Sequence, residues 1–258
     1  MHLRPTQKRV ATVVCLVAAT CLPVAAERSR DVDRTERLAG ERTVEVDVIS
    51  GSISAVPAEG RSVVVHAHVT TTFDDPGPVI RVERQRDRLV VCDVLPSDDR
   101  ARCSDRHRSM MADQRFDVAV RVEIPEGVRV VVRAVNASVD VRRFRSAVEA
   151  ESVNGAISID TSGTARATSV NGPIDARFSP SGDTRFSAVN GAIRLELPQN
   201  VHAVIDAKTL TGDIAGDGVT FDQRSGGFVG KTARAKLGHG GSTVRVDNVN
   251  GEIRIVRR

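Results

Sequence analysis

Ser152-Val153-Asn154-Gly155-Ala156-Ile157, Ser169-Val170-Asn171-Gly172-Pro173-Ile174, Ala188-Val189-Asn190-Gly191-Ala192-Ile193 and Asn248-Val249-Asn250-Gly251-Glu252-Ile253 are four copies of one phrase. Looser copies surround them: Ile49-Ser50-Gly51-Ser52-Ile53, Val135-Asn136-Ala137-Ser138-Val139 and Leu210-Thr211-Gly212-Asp213-Ile214. Counted at the Gly position, with Ala137 in its place once, successive steps are 18, 17, 19 and 21 residues from 137 to 212. The step to Gly251 is 39 residues, which reads as two units. A repeat of this length marks stacked units that bury their apolar faces only against neighbours.

Segments flanking the phrase alternate, as in Ile157-Ser158-Ile159, Ile193-Arg194-Leu195-Glu196-Leu197 and Ile253-Arg254-Ile255. That is the period of a half-buried strand, and no stretch after residue 26 carries helical spacing. The class is all-β. Asn-Gly between alternating hydrophobics is also the mark of a two-residue hairpin, so an antiparallel meander or sandwich stands as the alternative. Pro173 favours the solenoid. In a hairpin closed by Asn171-Gly172, residue 173 must donate its N–H across the turn, and proline has none. An open corner with glycine at positive φ tolerates it. The reading is therefore a single-stranded β-solenoid of coils of about 17–21 residues. Its corners are Asn136, Asn154-Gly155, Asn171-Gly172, Asn190-Gly191, Gly212 and Asn250-Gly251. Val153, Val170 and Val189 are expected to stack before the corner, and Ile157, Ile174, Ile193, Ile214 and Ile253 after it. The asparagines are expected to form a hydrogen-bonded ladder. Gly251 is expected at the end of the stack, with a neighbour on one side only.

Outward from the repeats, residues 1–26 place Arg4, Lys8 and Arg9 ahead of an apolar run, Val10 to Leu22, and end in Val24-Ala25-Ala26. That is the layout of a signal peptide, and the run is shorter than the ~20 apolar residues of a membrane span. The mature chain is expected to be one domain, 27–258, without a transmembrane span. Without the leader the chain is close to neutral, so its basic pI of about 9.2 is in part a targeting feature and not a nucleic-acid footprint. With no Trp, no Tyr and seven Phe, stacking platforms for single-stranded nucleic acid are scarce. Of four cysteines, Cys92 and Cys103 remain after the leader, and an oxidising compartment predicts that they pair. They lie in residues 73–115, the least regular stretch, which reads as a disulfide-bearing excursion. A ring that size contributes up to ~3 kcal/mol in the chain-entropy account.

The recurring Val-Asn-Gly-x-Ile copies resemble the bacterial putative-adhesin family of unknown function, also called toastrack domains. So do the entries Ile124-Pro125-Glu126-Gly127-Val128 and Leu197-Pro198-Gln199-Asn200-Val201, and the turn Leu237-Gly238-His239-Gly240-Gly241. The likeness runs over about residues 41–258. It implies stacked β-coils and an extracytoplasmic place, with adhesion or envelope-stress signalling suggested for relatives, and it supplies no catalytic residue.

Chemistry-bearing patterns are few. Gly226-Gly227-Phe228-Val229-Gly230-Lys231-Thr232 ends like a phosphate-binding loop, but Ser225 stands where the first glycine belongs and no helix follows. His66 and His68 share one strand face without a third metal ligand in sequence reach; His107, His202 and His239 are scattered. Asp98, Asp99, Arg100, Arg102, Asp105 and Arg106 make a charged loop fit for a glycan or peptide. Asp140, Asp160 and Asp175 follow successive corners, as paired carboxylates of a polysaccharide-cleaving β-helix would, but sugar-binding aromatics are missing. The expected function is a non-enzymatic envelope or surface scaffold or adhesin-like binding domain, periplasmic or surface-exposed, whose partner is an envelope protein or glycan. No catalytic residue, cofactor or metal is assigned. The alternatives are an envelope-stress sensor and a carbohydrate-active enzyme.

Overall fold

A computed structural model describes residues 27–72, 77–94, 102–103, 116–225 and 230–258. Residues 1–26, expected to be a leader, and most of the 73–115 stretch lie outside the described residues. The chain begins with β1 (Glu27–Arg37), β2 (Thr43–Ala58), β3 (Ser62–Thr72), β4 (Val79–Gln85), β5 (Arg88–Val94) and β6 (Phe116–Pro125). The repeats open with β7 (Arg129–Phe144). Three strand pairs follow: β8 (Val148–Asn154) with β9 (Ile157–Thr161), β10 (Ala165–Asn171) with β11 (Ile174–Arg177), and β12 (Thr184–Asn190) with β13 (Ile193–Leu197). Then come β14 (Ala203–Thr211), β15 (Ile214–Asp217), β16 (Asp222–Ser225), β17 (Lys231–Leu237), β18 (Ser242–Asn250) and β19 (Ile253–Arg257).

The fold is the solenoid, not the meander. β8 pairs with β7 and β10, not with β9, so each Asn-Gly step turns the chain from one arm of the sheet into another and closes no hairpin. The first arm runs β4-β5-β2-β7-β8-β10-β12-β18-β14-β17-β16. The second runs β1-β3-β6-β2-β7-β9-β11-β13-β19-β15. β2 and β7 pass through the corner unbroken and belong to both arms. Pairing is parallel through the middle and antiparallel at the ends, where β4, β1-β3 and β16-β17 cover the terminal coils. Capping of this kind satisfies edges that a bare stack would expose.

Strict alternation sorts the side chains. Ile157, Ile174, Ile193, Ile253 and Ile214 stand in one buried row, and both arms share one apolar core. Small residues such as Ala150, Ala167 and Ala207 keep it thin, and Phe178 and Phe186, 4.9 Å apart, fill the middle. The valines before the corner stack as expected but point outward. Val153, Val170, Val189, Val249 and Leu210 are 37–52% exposed. The period-2 register that buries Ala150 and Ser152 turns the next residue, Val153, to solvent.

The coil order departs from chain order. β18 and β19 insert between β12-β13 and β14-β15, so Gly251 is an interior corner with neighbours on both sides, not the end of the stack. Gly212 occupies the last corner instead. The 39-residue step from Gly212 thus runs out through β16 and β17 and back into a slot left open beside β13.

Glycine is required at the corner by close backbone approach. A Cβ at Gly172 would fall on the Gly155 carbonyl oxygen, far inside van der Waals contact, and one at Gly191 would fall on that of Gly172. The N–H groups of Gly172 and Ile174 bond to Asn190 and Ala192 carbonyls in the next coil, at 2.9 Å each. The residue between them only accepts, its carbonyl bonding the Ile157 N–H at 2.9 Å, and no N–H is called for there, which is why proline fits.

Candidate functional site

Two polar ladders run along the corner. On the outside, the Asn154 amide donates to Asn136 Oδ1 (2.6 Å), Asn171 to Asn154 (2.8 Å), Asn190 to Asn171 (2.9 Å) and Asn250 to Asn190 (2.8 Å). The Thr211 hydroxyl ends the chain of bonds on Asn250 Oδ1. Every bond points the same way. On the inside, side chains two residues before the outer-ladder residue reach the corner carbonyls: Ser152 to Ala137 (3.2 Å), Asn248 to Gly191 (2.9 Å) and Thr209 to Gly251 (3.3 Å). The sequence reading missed this inner row. Its signal was the polar residue preceding the outward aliphatic one in Ser152-Val153, Ser169-Val170, Asn248-Val249 and Thr209-Leu210.

The outward face of the first arm divides into two electrostatic halves. In the N-terminal half, opposite charges alternate across strands. Arg88 binds Glu45 at 2.6 Å, Arg133 bridges Glu45 and Glu151 (3.2 Å to the latter), and Arg129 pairs with Glu149. In the C-terminal half three successive strands carry arginine at one level, bounded by Glu149, which pairs with Arg166, and by Asp206, which pairs with Arg245. Arg185 pairs directly with Arg245, and Arg166 stands one residue before the Ala167–Phe186 pair, level with them. The three arginines line one small depression of about 140 Å³. Beyond Arg245 the level continues through Asp206, Arg234 and Asp222. There it forms an open trough of about 570 Å³, to which Lys208, Arg224 and Asp247 also contribute. Local ion pairs range from close to loose: Arg185–Asp247 3.1 Å, Arg234–Asp206 3.4 Å, Arg245–Asp183 3.9 Å. Arg166 donates to the main-chain carbonyl of Asp183 at 3.0 Å.

A second depression, about 390 Å³, lies at the far end of the second arm over buried Phe178, between Asp160, Arg177, Glu196 and Arg258. Glu196 is its hub. Arg194 at 2.7 Å, with Arg258 and Arg177, holds its carboxyl below the usual 4.5 against the opposing effect of burial. At the other end of the molecule Glu41 is held low by its own N–H and that of Ala39, with help from Arg84.

The remaining sequence candidates are dispersed. Asp140 pairs with Arg142 and Asp175 approaches Arg194 at 3.9 Å, while Asp160 lies level with Arg177. His66 and His68 share a face of β3, each 2.6 Å from an aspartate of β1, Asp33 and Asp31. His202 and His239 stack at 5.2 Å. His107 and the charged loop lie outside the described residues apart from Arg102, as does Gly226 to Val229 of the glycine loop. Lys231 and Thr232 begin β17, a strand, and Lys231 pairs with Asp213. Cys92 and Cys103 are joined by a disulfide that ties β5 to the loop. Among the described residues no group of three potential metal ligands converges, and no helix is long and apolar enough to cross a membrane.

No protein-family model matches the chain, and no curated protein matches it. Among solved structures it is similar to a putative cell adhesion protein from Clostridium sporogenes, at 10% identity and TM-score 0.48, over 90% of this chain and 100% of that one. It is also similar to putative adhesins from Bacteroides fragilis (8%, TM-score 0.34, 89% and 97%) and Parabacteroides merdae (11%, TM-score 0.27, 89% and 96%). These neighbours bear the designation of the family that the repeats resemble. At such distances they fix no property of this chain, and the fold stands on the strand pairings themselves.

Proposed function

We propose that this protein is an exported, adhesin-like scaffold that works by binding, not by turnover. The observation that carries the reading is the outer face of the first arm, where rigid parallel strands hold charged side chains in straight rows about 4.8 Å apart. Such a face offers repeated contacts to an extended partner, which suits adhesion. The carboxylates considered for hydrolysis are each engaged with or level with arginine. The Cys92–Cys103 bridge suits an oxidising compartment.

Fractionation of cells expressing the full chain tests it. The expected result is an extracytoplasmic product starting near Glu27, with Cys92 and Cys103 protected from thiol labelling, that co-sediments with envelopes and leaves a polysaccharide panel unshortened. A cytoplasmic product with two labelled thiols overturns export. Turnover lost on substituting Asp160 or Asp175 overturns the binding-only reading.

A further inference from the structure

We infer that the Arg166–Arg185–Arg245 row binds an acidic polysaccharide, gripping anionic sugar units of a chain laid across the strands; this rests on the binding role proposed above and names its ligand class. Like charges directly opposite on neighbouring strands are unfavourable, and the N-terminal half of the same arm avoids them. Here three guanidinium groups occupy consecutive strands, β10, β12 and β18, around one depression. The row's third member is there because β18 is inserted beside β12, which brings Arg245 to Arg185 across 60 residues of chain. Carboxylates bound the row, Glu149 opposite Arg166 and Asp206 opposite Arg245, but each guanidinium carries five N–H donors, more than its contacts to Asp183 and Asp247 use.

The spacing selects the ligand. Strands lie about 4.8 Å apart, comparable to the advance of one sugar along an extended polysaccharide, so successive arginines meet successive units. A single-stranded nucleic acid needs aromatic platforms for its bases, which a chain without Trp or Tyr does not supply. Asp206, Asp222 and Asp247 in the adjoining trough break the positive charge that a broad anionic membrane surface would cover, whereas a single narrow chain need cross only the arginine row. The same alternation of carboxylate and guanidinium there accepts from and donates to sugar hydroxyls. With charge and hydrogen bonds as the only grip, binding is salt-sensitive and neutral glycans are not held.

The test measures affinity of the full exported chain at low and high salt for polygalacturonate, dextran, single-stranded DNA and phosphatidylglycerol vesicles. Polygalacturonate is expected to bind, weaken as salt rises, and outcompete the other three. Arg185→Ser and Arg245→Ser are each expected to weaken it roughly tenfold. Arg121→Ser, on the outer face of the second arm, is expected to leave it unchanged, and all three variants are expected to melt close to the parent. Equal affinity in the Arg185 and Arg245 variants, equal binding of dextran, or tighter binding of DNA or vesicles overturns the assignment. A chain that co-sediments with envelopes yet ignores every polyanion overturns this inference and leaves the binding role standing.

Discussion

Gly251 stacks directly on Gly191, sixty residues earlier in the chain: the Gly191 N–H donates to the Asn250 carbonyl at 3.0 Å, and a Cβ at Gly251 would strike the Gly191 carbonyl. Gly251 is therefore as constrained as Gly172. Valine at either site combines a backbone overlap with a positive φ, costing about 2–4 kcal/mol, or a Tm lower by roughly 5–10 °C for a domain this size. Gly212→Val is expected to be milder, because the last corner can shift outward. Melting curves of the three variants check the order, and a Gly251→Val variant that melts like the parent removes the case for an interior corner.

The inserted strands make a second expectation. β14 and β15 contact the stack only through β18 and β19, so truncation after Gly241 leaves them and their β17 cover without a neighbour. Hydrogen exchange of the truncated chain is expected to show lost protection over residues 203–217 and 231–237, with β7 to β11 still protected. Retained protection over 203–217 contradicts the coil order.

The architecture was legible because a steric requirement wrote it into the sequence: at the Asn-Gly corners only glycine fits against the preceding coil's carbonyl, so Asn-Gly recurs at the coil length. Coil order was harder, since Val189-Asn190-Gly191 fits equally well beside Val170-Asn171-Gly172 or Val249-Asn250-Gly251. A signal was nonetheless present. A one-way amide ladder needs a different residue at its ends, and the two corners that lack asparagine, Ser50 and Thr211, are the two ends of the corner stack. The arginine row was illegible for a related reason. Arg166, Arg185 and Arg245 share an outward parity with many charged residues, and only the insertion of β18 brings Arg245 beside the other two.

The ladder itself predicts a chemical behaviour. Asn171→Ala removes two exposed amide bonds and is expected to cost about 1 kcal/mol. Asn171→Asp is expected to cost more at neutral pH, because a carboxylate can still accept from Asn190 but cannot donate to Asn154. Protonation restores a donor, so the Asp penalty relative to Ala should shrink in acid. Spontaneous deamidation at the Asn-Gly steps needs the glycine nitrogen to attack the asparagine side chain. The Gly155, Gly172, Gly191 and Gly251 N–H groups are all bonded into the next coil. Peptide mapping after prolonged incubation is expected to find these steps intact in the folded chain and converted after unfolding.

Glu196 is expected to contribute to the acid sensitivity of the protein. Its side chain is 11% exposed and receives hydrogen bonds from Arg194 (2.7 Å) and Arg177 (3.2 Å), with Arg258 at 3.6 Å. These cations pull its carboxyl below the ordinary 4.5, led by Arg194, while burial pushes the other way. For a depressed carboxyl the folded state binds its proton less readily than the unfolded state. The stabilisation is thus fully present above pH 4.5 and drains away as pH falls through the lower folded value. Glu196→Gln, which keeps the shape and loses the charge, is expected to lower the melting temperature at pH 7. The gap to the parent should narrow below pH 4.5 and close in stronger acid. Paired melts of parent and variant from pH 7 down to 3 read this directly. A gap that stays constant across that range would show that the arginines around Glu196 hold it by packing and not by its charge.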